Sequence, residues 1–154
     1  MSINLQLKKF DVSKIGDNRI IVLCGKRGTG KSYLLRDLMF HKRHIPVGTV
    51  ISPTERVNKF FSKFVPKLFI HDEYHQSILA NFKKRQFRMA KLIENGDKNI
   101  DPYAYLVLDD CLYDNSWKND RYIREVFFNF RHVFTVFFLT MQFPLGISPQ
   151  LGSN

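Results

Sequence analysis

No run in this 154-residue sequence is apolar for long enough to cross a bilayer; the longest, Val133 to Leu139, is short and interrupted by Thr135. The N-terminus, Met1 to Lys9, has no apolar block of the signal-peptide kind, so the chain is expected to be soluble and intracellular. Cysteine is nearly absent. Cys24 and Cys111 are the only two, neither lies in a CxxC pair, and both are expected to be buried free thiols rather than a disulfide or zinc ligands. The histidines flanking Asp72-Glu73, His71 and His75, are in the wrong order for an H-E-x-x-H zinc helix. Acid is scarce: 14 Asp and Glu face 24 Lys and Arg, for a net charge of +10. Residues 1–100 hold 20 of the basic residues against eight acids, while 101–154 hold four against six. Such an excess attracts polyanions, nucleic acid being the commonest, although a merely soluble basic surface has the same composition.

Glycine is no more abundant, with eight in all, yet three fall within Gly25-Lys26-Arg27-Gly28-Thr29-Gly30-Lys31-Ser32. Residues at these spacings can cradle phosphate. Glycines allow backbone angles that a side chain forbids and let amides approach anionic oxygens, while a helix starting near Gly30 adds unpaired N–H groups and the positive end of its dipole. Lys31 can then reach the outer phosphates of a nucleotide and the Ser32 hydroxyl can ligate Mg²⁺. Context agrees with this reading. An apolar β-rich run, Arg19 to Cys24, precedes the loop, and Leu34, Leu35, Leu38 and Met39 follow it at helical spacing over Tyr33 to Lys42.

The remaining pattern alternates strands with helices. Strands are expected at 47–53, 68–71, 103–110 and 133–142, with helices over 75–95 and 119–130. Alternation at 3–15 suggests an edge strand or hairpin. The order implies one α/β domain, a mostly parallel sheet with helices on both faces. Its parts are an N-terminal element at 1–18, a nucleotide-binding core at 19–142 and a tail at 143–154.

A second constellation supplies acid. The run Leu106-Val107-Leu108-Asp109-Asp110 is a hydrophobic strand ending in two carboxylates, and the end of a parallel strand opens on the ligand crevice. Asp109 suits Mg²⁺, which takes oxygen ligands, and Asp110 could orient or deprotonate the water that attacks a γ-phosphate. On the strand 133–142, Thr140 and Gln142 share a face, and Gln142 can hold the lytic water or sense the γ-phosphate. Arg131, just before that strand, could stabilise the transferring phosphoryl group in cis or reach a neighbouring subunit's nucleotide, or be a surface arginine. Helix 75–95 carries Lys83, Lys84, Arg88 and Lys91 around an apolar face of Leu79, Phe82, Gln86, Met89, Ala90 and Ile93. Facing DNA, those cations would contact phosphates without reading bases; a solvated helix face is the alternative.

The phosphate loop, the strand closing on Asp109-Asp110, Asn129-Phe130-Arg131-His132 and Leu139-Thr140-Met141-Gln142 together resemble the poxvirus-type genome-packaging ATPases of large DNA viruses, within the FtsK/HerA group of ring-forming DNA translocases. The resemblance implies an additional-strand P-loop NTPase core that hydrolyses ATP with Mg²⁺. It also implies a homo-oligomeric ring on double-stranded DNA, capsid proteins as further partners, and a place in the host cytoplasm at the viral factory or in the virion. It assigns Lys31 and Ser32 to phosphate and Mg²⁺, Asp109 to the metal, Asp110 to the base, Gln142 to the sensor and Arg131 to a trans-acting finger. Proteins of that group continue with a further strand and a polar segment past the point where this sequence stops, at Leu151 to Asn154, so a C-terminally shortened core is expected. Two other functions suit a phosphate loop, a nucleoside or nucleotide kinase and a non-hydrolysing, nucleotide-dependent assembly subunit.

Overall fold

A computed structural model describes residues 8–111 and 120–142, the side chain of Arg131 excepted. Five parallel strands form one sheet in the order β1-β5-β4-β2-β3, with β1 Ile20–Cys24, β2 Gly48–Ile51, β3 Ile70–His71, β4 Ala104–Asp109 and β5 Thr135–Met141. The last strand in sequence therefore lies between the first and the fourth. This is the additional-strand arrangement that the resemblance implied, and among the described residues it sets β1 at an edge. The inner strands β4 and β5 are buried on both faces, which is why they read as nearly continuous apolar runs.

Side-chain alternation divides the core into two layers. Leu106 and Leu108 of β4 and Phe137 and Leu139 of β5 pack with Leu79 and Phe82 of α3 (Gln76–Glu94) and Ile123, Val126 and Phe127 of α4 (Arg121–Asn129). On the other face, Val107, Val136 and Phe138 meet Leu35, Leu38 and Met39 of α1 (Lys31–His41), with Phe61 and Val65 from the segment after the short α2 (Glu55–Asn58). Each crossover thus covers one side of a parallel sheet, as βαβ units require. Asp120 starts α4, accepting from Tyr122 N at 2.8 Å, and its other oxygen accepts from Tyr74 Oη at 2.7 Å, tying the approach to α3 to the start of α4. Among the described residues no helix is long and apolar enough to cross a membrane.

Two expectations are corrected. Val12–Lys14 is a 3-10 turn rather than part of a strand, because the Asp11 carboxylate accepts from Ser13 N at 3.1 Å and offers the backbone a local alternative to pairing. Residues 1–7, where the rest of that strand was placed, lie outside the described residues, as does the tail at 143–154. Cys24 is exposed, not buried; it ends an edge strand whose α3 and α4 side also leaves Val22 in the open, while Cys111 is buried as expected.

Gln86 is the one polar member of the expected apolar face of α3, and its burial has a reason. Its Nε2 faces Val133 O and Phe134 O at 2.8 and 3.0 Å, with Thr135 Oγ1 at 3.2 Å, so the amide fastens α3 to the chain entering β5. That entry is tight, since Phe134 sits at φ 53° without being glycine. Replacing a fully buried amide by Leu removes a donor shared by these three acceptors, leaving Phe134 O with Ala104 N and Val133 O with Thr135 Oγ1. Gln86→Leu is expected to lower stability by about 1–3 kcal/mol, read as a lower urea midpoint at an unchanged slope.

Candidate functional site

The loop after β1 is built as its glycines demand. Gly28 and Gly30 hold φ of 81° and 86°, and a Cβ on Gly25 would stand 2.8 Å from Thr29 Oγ1. Gly30 is the N-cap of α1, and Leu34 N makes the first helical bond to its carbonyl at 3.0 Å, so the N–H groups before Leu34 have no intrahelical acceptor. Lys31 folds back over this turn and donates to Gly25 O at 2.7 Å and Lys26 O at 3.2 Å. Its ammonium thus lies against the cradle where anionic oxygens would compete for it. Lys26, Arg27 and Ser32 are exposed along the same rim.

Opposite the loop, Asp109 is 7% exposed and closes β4. Both of its oxygens accept from hydroxyls, Oδ1 from Thr140 at 2.7 Å and Oδ2 from Ser52 at 2.9 Å. Burial raises its pKa above the ordinary carboxylate value; the two hydroxyls oppose that, the Asp110 charge adds to it, and the Lys31 ammonium pulls it back. Thr140 and Asp109 are register partners, as are Thr140 and Leu23. Asp109 is therefore two strand spacings, roughly 10 Å, from the strand that delivers the loop. Burial, with the neighbouring Asp109 charge, pushes the Cys111 thiol up to about 12, which leaves it a packing group.

The end of β5 joins the two sides. Gly25 N donates to Met141 O at 3.1 Å, and Asp110 N donates to Thr140 Oγ1 at 3.0 Å. Gln142, exposed, is the next residue, so the chain brings it out between the loop and the acidic pair. Asp110 adopts φ 47°, a left-handed turn that Asp tolerates better than most residues, and this ends β4 directly after Asp109.

The structure thus brings Gly25 to Ser32, Asp109, Asp110 and Gln142 to one crevice. It keeps Arg131 out. That residue belongs to the turn Phe130–His132 before β5, at the other end of an all-parallel sheet, and the seven residues of β5 separate it from the crevice by roughly 20 Å. Action in cis, one of the routes open from sequence, is therefore excluded by topology. On α3, Lys83 pairs with Glu125 at 2.5 Å, whereas Lys84, Arg88 and Lys91 are exposed. Sequence reasoning missed Ser52 altogether. The signal was a polar residue directly after a short buried strand, and only the pairing of Ile51 with Leu108 reveals that it stands beside Asp109.

The donor set fits a magnesium nucleotide: hydroxyl and carboxylate oxygens face a glycine turn with a lysine against it. No protein-family model matches the chain. The uncharacterized protein L437 of Acanthamoeba polyphaga mimivirus is 42% identical over 153 residues, covering 97% of this chain and 54% of that protein. Uncharacterized protein 075L of Invertebrate iridescent virus 6 is 42% identical over 149 residues, 96% of this chain and 55% of the relative. The chain spans about half the length of the curated relatives it matches. Among solved structures, the pCW3 conjugation coupling protein TcpA, a monomer form with ATPγS, superposes with a TM-score of 0.63 at 17% identity, over 94% of this chain and 48% of that one. The genome packaging NTPase B204 of Sulfolobus turreted icosahedral virus 2, in complex with AMPPCP, gives 0.53 at 20% identity, over 88% and 70%. The fold is that of their P-loop NTPase cores.

Asp109 also makes a pH prediction. Its carboxyl holds a proton more tightly folded than unfolded, so the stability it contributes is full below about pH 4 and lost as pH rises through the raised folded value. Once ionised, the group is a local cost to the fold. Asp109→Asn is expected to raise the melting temperature at pH 7 by about 1–4 °C and to narrow the difference from wild type as pH falls toward 4, measured by differential scanning fluorimetry without nucleotide.

Proposed function

We propose that this chain is a Mg²⁺-dependent ATP hydrolase whose turnover drives movement of double-stranded DNA, as in packaging of a viral genome. One observation carries the reading. The buried Asp109 carboxylate, fixed by Ser52 and Thr140, faces a glycine-rich turn whose Lys31 ammonium acts on it electrostatically. The origin of the relatives in large DNA viruses supports the DNA-directed part, as does the likeness in fold to a genome packaging NTPase and a conjugation coupling protein.

In this reading the amides of Gly25 to Ser32 and the Lys31 ammonium bind the triphosphate. Ser32 and Asp109 hold Mg²⁺, which supplies positive charge against the phosphate oxygens. Asp110 accepts a proton from the attacking water, and Gln142, emerging beside it, positions that water. Arg131 can serve only another subunit's nucleotide, which makes a homo-oligomeric ring part of the proposal. Lys84, Arg88 and Lys91 on α3 are the cations proposed for duplex phosphate contact.

Lys31→Ala is expected to abolish nucleotide binding or turnover, read by fluorescent-ATP affinity and by phosphate release. Asp110→Asn, which keeps a side chain suited to a left-handed turn, should retain binding while phosphate release falls by roughly 10²–10⁴-fold. Phosphate release stimulated by duplex DNA supports the proposal. A phosphorylated nucleoside product would indicate a kinase, tight ATP binding without turnover an assembly subunit, and undiminished turnover in Asp110→Asn would remove that residue as the base.

A further inference from the structure

The face of the sheet covered by α1 carries a groove of about 560 Å³, walled by α1 and residues 64–69 and floored by Tyr105 and Phe138. Its floor depends on a missing side chain, since a Cβ on Gly48 would stand 2.1 Å from the Tyr105 ring. Its far wall is fixed by the Glu55 carboxylate, which accepts from Phe61 N and Ser62 N, both at 2.9 Å. Along the near wall α1 exposes a stripe that its own packing does not use. Tyr33 is 68% and Phe40 57% exposed, with the Arg36 guanidinium over the first ring at 5.2 Å and Arg43 over the second at 4.2 Å. Phe64 faces them, 40% exposed and set edge-on against Phe60. Open aromatic faces interleaved with guanidinium planes are costly to leave in water and are not needed to bury Leu35, Leu38 and Met39.

Charge says what such a groove would hold. Residues 8–71 contain 14 Lys and Arg against four Asp and Glu, whereas residues 72–154 contain ten of each. The crossovers within residues 8–71 pack on this one face, so the surplus, apart from Lys26, Arg27 and Lys31 of the glycine loop, lies mainly on the side of the sheet that holds the groove. Lys59, Lys63 and Lys67 are exposed at intervals of four in and just before the segment that forms the far wall. Of the acidic groups, Asp37 lines the groove, and Asp17 is paired with Lys42 at 2.7 Å. By contrast, the cations of α3 share their surface with Glu94 and Glu125.

We infer that this groove binds single-stranded nucleic acid, bases stacking on Phe40, Tyr33 and Phe64 while the surrounding lysines and arginines take the phosphates. A duplex keeps its bases stacked on one another and can use only the cations, and an apolar peptide would use the rings and leave the charge surplus unmatched. Affinity should be tolerant of sequence and steeply dependent on salt. The groove is distinct from the nucleotide crevice, and the inference stands whether or not the chain hydrolyses ATP.

The test is fluorescence anisotropy of the full chain, without nucleotide, against a labelled mixed-sequence oligonucleotide of about 12 bases, within the usual site size, and its duplex. The single strand is expected to bind more tightly. Phe40→Ala and Phe64→Ala should each weaken it about five-fold or more, and Arg36→Glu with Arg43→Glu should flatten the salt dependence. Arg124→Glu, an exposed cation on α4, should leave single-strand affinity unchanged. Phe40 is mostly exposed, so its variant should melt like wild type and decides the matter if Phe64→Ala does not fold. The inference is overturned by unchanged single-strand affinity in Phe40→Ala, by equal binding of duplex with no aromatic dependence, or by an equal loss in Arg124→Glu. Loss of self-association in Phe40→Ala at unchanged oligonucleotide affinity would assign the groove to a second copy of the chain.

Discussion

A carboxylate taken out of water must be held by something, and the arrangement of this molecule follows from how Asp109 is held. Hydroxyls from two neighbouring strands, Ser52 after β2 and Thr140 on β5, occupy its two oxygens. They orient the group, while burial disfavours its charged form and a nearby cation favours it. Lys31 is that cation, and it rests against the carbonyls of its own loop. A bound divalent ion would favour the charged form more. The site is thus poised electrostatically: an acid short of positive charge faces a basic loop short of negative charge.

Strand order makes this possible. With β5 between β1 and β4, the phosphate loop and the acidic pair are close enough to share a ligand yet far enough apart to admit one, and the end of β5 is bonded to both. The parallel strands also leave Arg131 at the opposite end of the sheet from the crevice, so in the proposed mechanism it could act only on the nucleotide of another copy. Among the described residues the strand order sets β1 at an edge, with Val22 and Cys24 open on one face.

Much of this was legible in the residues because the relevant signals are local. The glycine spacing from Gly25 to Gly30 demanded backbone angles found at Gly28 and Gly30, and the runs ending at Asp109 and Met141 could only be strands buried on both faces. What escaped was non-local. Ser52 looked like the polar end of a short strand until its neighbour strand was known, and although the helical period set Gln86 on the apolar face, the carbonyls at 133 and 134 that its amide meets could not be read from sequence. The turn at Val12–Lys14 was misread because a short side-chain bond from Asp11 outweighs alternation over so few residues.

The central claim is that Ser32 and Asp109 grip one ion while the loop between Gly25 and Lys31 grips the phosphates it serves. A crystal structure of the chain with Mn²⁺ and a slowly hydrolysed ATP analogue tests it directly through the anomalous signal of manganese. The account predicts a single strong peak between the Ser32 hydroxyl and the Asp109 carboxylate, with the triphosphate lying along the glycine turn. Manganese or phosphates found elsewhere on the molecule, with Lys31 still bonded to the carbonyls of Gly25 and Lys26, would contradict it.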